Sequence, residues 1–157
     1  MHTLITPVQA LRLAFAPDEC LTPDALTEAD LAAAEVRYLH PVLGEALCER
    51  LRNADDRSFV DCFLAPPLAL FARLLAQPRL DIRTGRTGTA APRPDGAAAA
   101  PAEARRALRQ SLLTEARSLL RQAVARIESD PAAFPDYHAG RNVLHRCSIH
   151  GKLVQTL

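Results

Sequence analysis

Residues 102–129 read AEARRALRQSLLTEARSLLRQAVARIES and contain neither glycine nor proline. Their large apolar residues recur at the spacing of one helical face. They are Leu108, Leu112, Leu113, Leu119, Leu120, Val124 and Ile127. Pro101 suits a first helical turn, where its missing N–H costs nothing, and Asp130-Pro131 cannot continue the helix. The stretch therefore predicts one amphipathic helix, roughly 40 Å long at about 1.5 Å per residue, whose apolar stripe other helices must cover.

Size and composition place the rest of the chain in one domain around that helix. The 157 residues are 48% hydrophobic, 24% charged and 4% aromatic, which is the balance of a globular protein. Alanine, leucine and arginine are abundant and favour helix. The prediction is an all-α fold, a small bundle of about five helices that spans residues 1–157 as a single domain.

Start and stop signals define shorter helices in the N-terminal half. Thr6 is a predicted N-cap with Pro7 at the first helical position, and Thr27 opens a second helix with a capping-box pattern. Pro41 should end or kink that second helix, because it removes an intrahelical hydrogen bond. Residues 45–51 form a further short helix. The acidic residues of these helices are assigned to solvated polar faces.

The apolar segment 57–76 is the predicted partner of the long helix. Its large apolar residues are Phe59, Val60, Phe63, Leu64, Leu68, Leu70, Phe71, Leu74 and Leu75. Pro66-Pro67 should join two helical pieces, and Gln77-Pro78 should close the segment. We expect the long helix to pack on this segment around Phe63 and Phe71.

Residues 79–100 form a predicted β-hairpin-like arm between these helices. Residues 79–83 alternate like a strand, residues 84–88 are turn-like, and residues 89–91 return as a second strand. A connection of this length is usually functional or disordered, so a mobile loop and a projecting arm both remain open. A nucleotide-binding loop is disfavoured, because no lysine follows the second glycine. The arm is basic through Arg79, Arg83, Arg86 and Arg93.

The C-terminal tail, residues 131–157, is expected to pack on the domain or on a neighbouring subunit. It carries His138, His145, Cys147 and His150, which could ligate zinc. A packing or surface role is favoured, because no second ligand pair stands at a familiar interval. We therefore expect no metal and no cofactor.

Sequence motifs of catalysis are missing. The chain has no Gly-x-Ser-x-Gly, no His-Glu-x-x-His and no glycine-rich dinucleotide turn. Its four cysteines are scattered without a Cys-x-x-Cys and are expected to be reduced and mostly buried. No signal peptide or membrane span is predicted. The sequence predicts a non-enzymatic interaction or structural protein with no membrane partner.

Charge is distributed unevenly along the chain. Residues 1–61 hold five arginines against eleven acids and carry −6, whereas residues 62–157 carry +7. The two halves either neutralise each other within one subunit or form oppositely charged faces. The second alternative favours head-to-tail association of subunits.

The order of these elements resembles the head-tail connector (head-completion) proteins of tailed bacteriophages and prophages. Four stretches carry the resemblance: LITPVQA at residues 4–10, RYLHPVLG at residues 37–44, PVLGEAL at residues 41–47 and RNVL at residues 141–144. Between the third and the fourth stretch, the pattern continues with a helix, a hairpin arm and a long helix. The histidine-rich tail has no counterpart in that pattern.

The resemblance implies an all-α subunit that forms a homo-oligomeric ring under the portal at the virion neck. Portal and tail or neck proteins would be its partners, with DNA passing non-specifically through the channel. It would occupy the host cytoplasm during assembly and then the virion neck. Candidate contacts to partners or neighbouring subunits are Arg79, Arg83, Arg86, Arg93, Arg141 and His145.

A second reading is a small helical DNA-binding or regulatory protein that uses the basic arm. The long helix is only mildly basic, with three glutamates among six arginines, and no helix-turn-helix spacing is present.

Overall fold

The structure is a computed structural model that describes residues 3–17, 19, 22–85, 88–90, 100–145, 147–150 and 153–156, with only the backbone described at 83–85, 88–90, 147–150 and 153–156. Its α-helices are α1 (Pro7–Ala14), α2 (Glu28–Ala34), α3 (His40–Leu43), α4 (Glu45–Arg52), α5 (Ala65–Asp81) and α6 (Ala102–Ser129). Two short hairpins are built from β1 (Arg83–Gly85) and β2 (Gly88–Ala90), and from β3 (Cys147–His150) and β4 (Leu153–Thr156). The predicted all-α class is confirmed.

The predicted helix starts at Thr6 and Thr27 are confirmed. The Thr6 hydroxyl accepts a hydrogen bond from the Gln9 amide at 3.2 Å, with Pro7 at the first helical position. At Thr27 the capping box is complete, since the Asp30 carboxylate accepts from the Thr27 amide at 2.9 Å and the Thr27 hydroxyl accepts from the Asp30 amide at 3.3 Å. Both caps satisfy amides that the first turn leaves without a helical partner.

The helices do not end at the prolines, although an end was one of the two outcomes predicted for Pro41. A π-helical turn at Glu35–Leu39 joins α2 to α3, so that the helix passes Pro41 and ends at Gly44, whose φ of +88° suits glycine. A second π-helical turn at Val60–Leu64 runs into α5 directly before Pro66-Pro67. Each wider turn accommodates the missing proline N–H and the bulk of its ring, so the helix continues.

Helix α5 is the centre of the bundle. Its buried residues face several directions, and α1, α2 and α6 all pack against it. Phe71 is 1% exposed and stacks on Tyr38 with the ring centroids 4.2 Å apart. The helical segment Val60–Asp81 is long and apolar enough to cross a membrane, but most of it is buried among the other helices, as in a core helix.

Some large apolar side chains of the helices are exposed. Val8 and Leu13 on α1 are 58% and 43% exposed, whereas Ala10 and Ala14 of that helix are buried. The predicted contact residue Phe63 is 36% exposed and stacks on Phe59, with the ring centroids 5.4 Å apart. The small alanines lie inside because α1 sits close to α5, and larger side chains are directed outward.

The predicted long helix is confirmed as α6, 28 residues without interruption. Its buried residues are Leu112, Ala116, Leu120, Ala123, Val124 and Ile127, and they pack against α5 and the preceding π-helical turn. At about 2 kcal/mol for each large buried side chain, this stripe contributes substantially to holding the two helices together.

The prediction that an arm begins at residue 79 is wrong. Helix α5 passes through Pro78 and ends at Asp81, so Arg79 lies in the helix. Strands β1 and β2 pair antiparallel, Arg83 with Ala90 and Gly85 with Gly88. This short pairing does not support a projecting arm of the predicted extent. Residues 86, 87 and 91–99 lie outside the described residues.

Residues 131–145 contact the body of the bundle. Arg50 donates to the Ala133 carbonyl at 2.9 Å and pairs with Asp136 at 2.8 Å. The ring of Phe134 lies 4.7 Å from that of Phe59. These contacts place the segment after α6 beside α4 and the start of the helix that leads into α5.

Candidate functional site

A basic cleft lies where α5 ends and α6 begins. It has a volume of about 240 Å³ and is lined by apolar groups and by three guanidinium groups. The apolar residues are Leu74, Pro78, Ile82 and Ala102, and the arginines are Arg105, Arg106 and Arg109. Such a combination suits a carboxylate-bearing segment that also buries an apolar group.

The arginines enter this cleft because of their positions on α6. The buried stripe of α6 continues toward the N-terminus at the same three- and four-residue steps, through Arg109, Arg105 and Ala102. Arg105 is partly buried, and Arg109 is exposed. Because arginine occupies these positions instead of leucine, the α5–α6 interface ends in charged side chains and not in packed apolar ones. The same steps are readable in the sequence, but the prediction did not assign these residues to the site.

Few groups within the cleft compensate this positive charge. Asp81 is the acid that lines it among the described residues, and its carboxylate accepts a hydrogen bond from Gln77 Nε2 at 2.8 Å. Arg105 Nε and Gln77 Oε1 are shielded from solvent and have no hydrogen-bond partner in the described part of the chain. The cleft therefore presents an excess of cationic donors.

The opposite end of the bundle carries acids. Asp55 and Asp56 lie exposed on the turn between α4 and the helix that leads into α5. The Asp56 carboxylate accepts from the Ser58 amide at 2.8 Å, and this hydrogen bond lowers the pKa of Asp56. The neighbouring Arg57 is directed inward, since it donates to the carbonyls of Leu4 and Arg52. The turn thus offers two carboxylates to solvent.

Part of the charge asymmetry is neutralised within one chain. Arg73 pairs with Glu19 at 3.0 Å, and Arg79 pairs with Asp30 at 2.9 Å. Burial acts to raise the pKa of Asp30, but hydrogen bonds from Arg79 and Thr27 outweigh it, and the pKa lies below its ordinary value. Some acids are thus paired internally, whereas Asp55, Asp56 and the cleft arginines form no ion pair with another described residue.

Of the predicted contact residues, the structure describes the side chains of Arg79, Arg141 and His145, and these lie in different segments. Arg79 donates to Asp30 and to the Ala25 carbonyl at 3.0 Å, so it is engaged within the chain. Of Arg83 the backbone is described, in β1, and Arg86 and Arg93 lie outside the described residues.

Arg141 and His145 lie on the segment that follows α6. Arg141 is exposed on a 3-10 turn, and His145 Nε2 is 3.4 Å from the Glu128 carboxylate on α6. Asn142, between them, is fully buried and donates to the Tyr137 hydroxyl at 2.8 Å. Tyr137 in turn donates to Glu128 at 2.7 Å. This network holds residues 137–145 against the C-terminal turn of α6.

A cavity lies between α3–α4 and residues 135–143. It has a volume of about 620 Å³, and the ionisable residues that line it are His40, Glu45, Glu49, Asp136, His138 and Arg141. Among the residues that the structure describes, no three histidine, cysteine or acidic side chains are grouped as metal ligands. Histidines and acids thus share this open cavity without a metal-ligand grouping among the described residues.

The assignment of the acids in the N-terminal helices to solvated faces is wrong for Glu35. It lies on the first π-helical turn, is 2% exposed, and accepts from the Leu4 amide at 2.5 Å and from Arg52 at 2.8 Å. Its carboxylate ties the N-terminal residues to α4. The π-helical turn rotates this position inward, and nothing in the sequence marks that turn.

The two cysteines whose side chains the structure describes differ in exposure. Cys48 is buried, and burial, together with the nearby Glu35 carboxylate, raises the pKa of its thiol to about 12. Cys62 is exposed on the second π-helical turn. The side chains of Cys20 and Cys147 lie outside the described residues.

Comparison with known proteins gives one assignment. No curated protein and no solved structure matches the chain. A model of a family of unknown function, DUF6712, matches residues 24–146, a span that runs from the 3-10 turn before α2 to the segment after α6 and includes the basic cleft. The chain therefore belongs to the DUF6712 family of unknown function.

Proposed function

We propose that this protein is a non-enzymatic structural subunit of the head-tail connector type found in tailed bacteriophages and prophages. It assembles with copies of itself into a ring at the portal, at the virion neck. The ring forms through oppositely charged faces, and portal and neck proteins bind to it. The protein is present in the host cytoplasm during assembly.

The observation that carries this proposal is the presence of one basic and one acidic local surface at opposite ends of the α5–α6 pair. The basic cleft lies at one end, and the exposed Asp55 and Asp56 lie at the other. A surface that carries complementary charge at both ends favours head-to-tail contacts, which close into rings when the rotation between subunits permits. The sequence resemblance supplies the biological setting.

The connection between α5 and α6 and the segment after α6 are the proposed contacts to neighbouring proteins. Each follows the end of a packed helix. Arg141 and His145 are on the second of these segments and are exposed, which suits contact with a neighbouring protein.

Light scattering coupled to size-exclusion chromatography tests this function, with and without a short DNA duplex. The connector proposal expects an assembly of many subunits that needs no DNA, visible as rings by negative-stain electron microscopy. A monomer or dimer that instead forms a salt-sensitive complex with the duplex would overturn it in favour of a DNA-binding regulator.

A further inference from the structure

We propose that the basic cleft receives the acidic turn 53–56 of a second copy of this chain, so that subunits associate end to end. The inference rests on the proposed self-association and goes beyond it by naming both contacting surfaces. The cleft is the site lined by Arg105, Arg106 and Arg109, and the acidic turn carries Asp55 and Asp56.

The two surfaces lie at opposite ends of one helix pair. The helical segment Val60–Asp81 has 22 residues, which corresponds to roughly 33 Å between its ends. Its C-terminal end lines the cleft together with the start of α6. Its N-terminal end lies next to the acidic turn and to Phe134, which follows α6. One copy therefore cannot fill its own cleft with its own turn.

The chemistry of the cleft favours carboxylates of a folded turn. Guanidinium groups bind carboxylates through paired hydrogen bonds, and the two aspartates of the turn are matched by three arginines. The apolar floor includes Ile82, which is 40% exposed and would be covered by the incoming backbone and the Ala54 side chain.

A nucleic-acid backbone fits this cleft less well. Phosphates are bound by open basic surfaces that follow the strand, and they gain nothing from an apolar floor. The cleft is about 240 Å³, a volume that admits a few side chains and not a duplex. DNA binding is therefore an outcome of the test and not the proposal.

Contacts between two different surfaces are heterologous and can extend from subunit to subunit. Each copy bound by its turn still presents an empty cleft at its other end. The contact therefore generates either closed rings or open chains, according to the rotation between neighbouring subunits.

Two charge-reversal variants test the contact. Arg105→Glu/Arg109→Glu reverses the cleft and leaves the turn intact. Asp55→Arg reverses the turn, and Asp56 is kept because its carboxylate caps the following helix. Each variant alone should weaken self-association at least about a hundredfold by sedimentation velocity. Arg117→Glu, on the exposed middle of α6, is the matched control and should associate like the wild type.

Mixing the two variants gives the decisive result. In the mixture, the intact cleft of Asp55→Arg meets the intact turn of the cleft variant, and the reversed turn of the first also faces the reversed cleft of the second with opposite charge. The mixture should therefore regain the association that neither variant shows alone. Circular dichroism of each variant verifies the helical fold, so that loss of association is not confused with unfolding.

The possible failures separate the two proposals. Wild-type assemblies that both variants leave unchanged would overturn the assignment of the cleft and leave self-association standing. A wild type that stays monomeric at every concentration, with no association in the mixture, would overturn both. Duplex DNA binding that is lost in Arg105→Glu/Arg109→Glu, without any self-association, would assign the cleft to phosphate.

Discussion

Replacing Glu35 by glutamine should destabilise the protein, because this buried carboxylate joins three parts of the fold. Its two oxygens accept from the Leu4 amide at 2.5 Å and from Arg52 at 2.8 Å. Glutamine preserves the size of the side chain and an acceptor for the amide. Its own N–H groups, however, would face the Arg52 guanidinium and donate to nothing there.

The magnitude follows from these two contacts. A hydrogen bond to a charged group contributes about 1.5–3 kcal/mol, and the bond to Arg52 is the one that glutamine cannot replace. The Arg52 side chain is 22% exposed, so water can solvate part of the guanidinium that is left without its partner. We therefore expect a loss of about 2 kcal/mol in the free energy of unfolding, below the about 3–5 kcal/mol measured where a fully buried pair is broken.

Urea unfolding followed by circular dichroism measures this change. Glu115→Gln on the exposed face of α6 is the control and should stay within about 0.5 kcal/mol of the wild type. In the double variant Glu35→Gln/Arg52→Gln, the two losses should be less than additive, because the second replacement removes a charge that has already lost its partner. A Glu35→Gln protein as stable as the control would refute the structural role given to this carboxylate.

Three further changes test the packing, the ion pair and the exposure of the thiols. Leu120→Ala should cost about 2–5 kcal/mol in urea unfolding because Leu120 is 2% exposed on α6, whereas Leu13→Ala, at 43% exposed, should cost less than about 1 kcal/mol. The pKa of Asp30 is lowered in the folded protein, so the charged carboxylate stabilises the fold above pH 3.8, its ordinary pKa. This contribution is lost as the pH falls through the folded pKa. In Asp30→Asn the unfolding free energy should therefore depend less on pH in that acid range. In the native protein iodoacetamide should modify the exposed Cys62 and leave the buried Cys48 unmodified until urea unfolds the chain, and peptide mapping that found Cys48 labelled first would contradict its burial.

The long helix could be predicted from the sequence because every level of information agrees there. Residues 102–129 lack helix breakers, carry an unbroken apolar period and are bounded by Pro101 and Asp130. The caps at Thr6 and Thr27 were predictable for the same reason, since a side chain and a nearby amide determine them locally. Local rules succeed where the interaction itself is local.

The prolines show where local rules fail. Pro41 and Pro66-Pro67 each have a π-helical turn before them, and the helix continues past both. Pro78 is likewise inside α5. Whether a helix absorbs a proline depends on the neighbours that pack against it, and the sequence pattern of a single segment does not contain that information.

The candidate site was predictable only in part. The sequence revealed that residues 1–61 and residues 62–157 carry opposite net charge. The prediction from it, however, assigned the partner contacts to residues 79–100 and to the C-terminal tail. The cleft arginines are visible only when the stripe of α6 is extended to Arg105 and Arg109 and the start of α6 is placed beside Asp81. The cleft and the acidic turn lie at opposite ends of the helix pair because the chain reverses its direction between α5 and α6. This reversal is a tertiary feature.

Sedimentation velocity of the wild-type protein at about 0.05 M and about 0.5 M salt tests the central claim most directly, because the Debye length shortens from about 14 Å to about 4 Å over this range. Association through complementary charged ends predicts an assembly larger than a dimer at low salt that dissociates toward the 17.1 kDa monomer at high salt. A single monomer boundary at both salt concentrations, at every protein concentration tested, would contradict it.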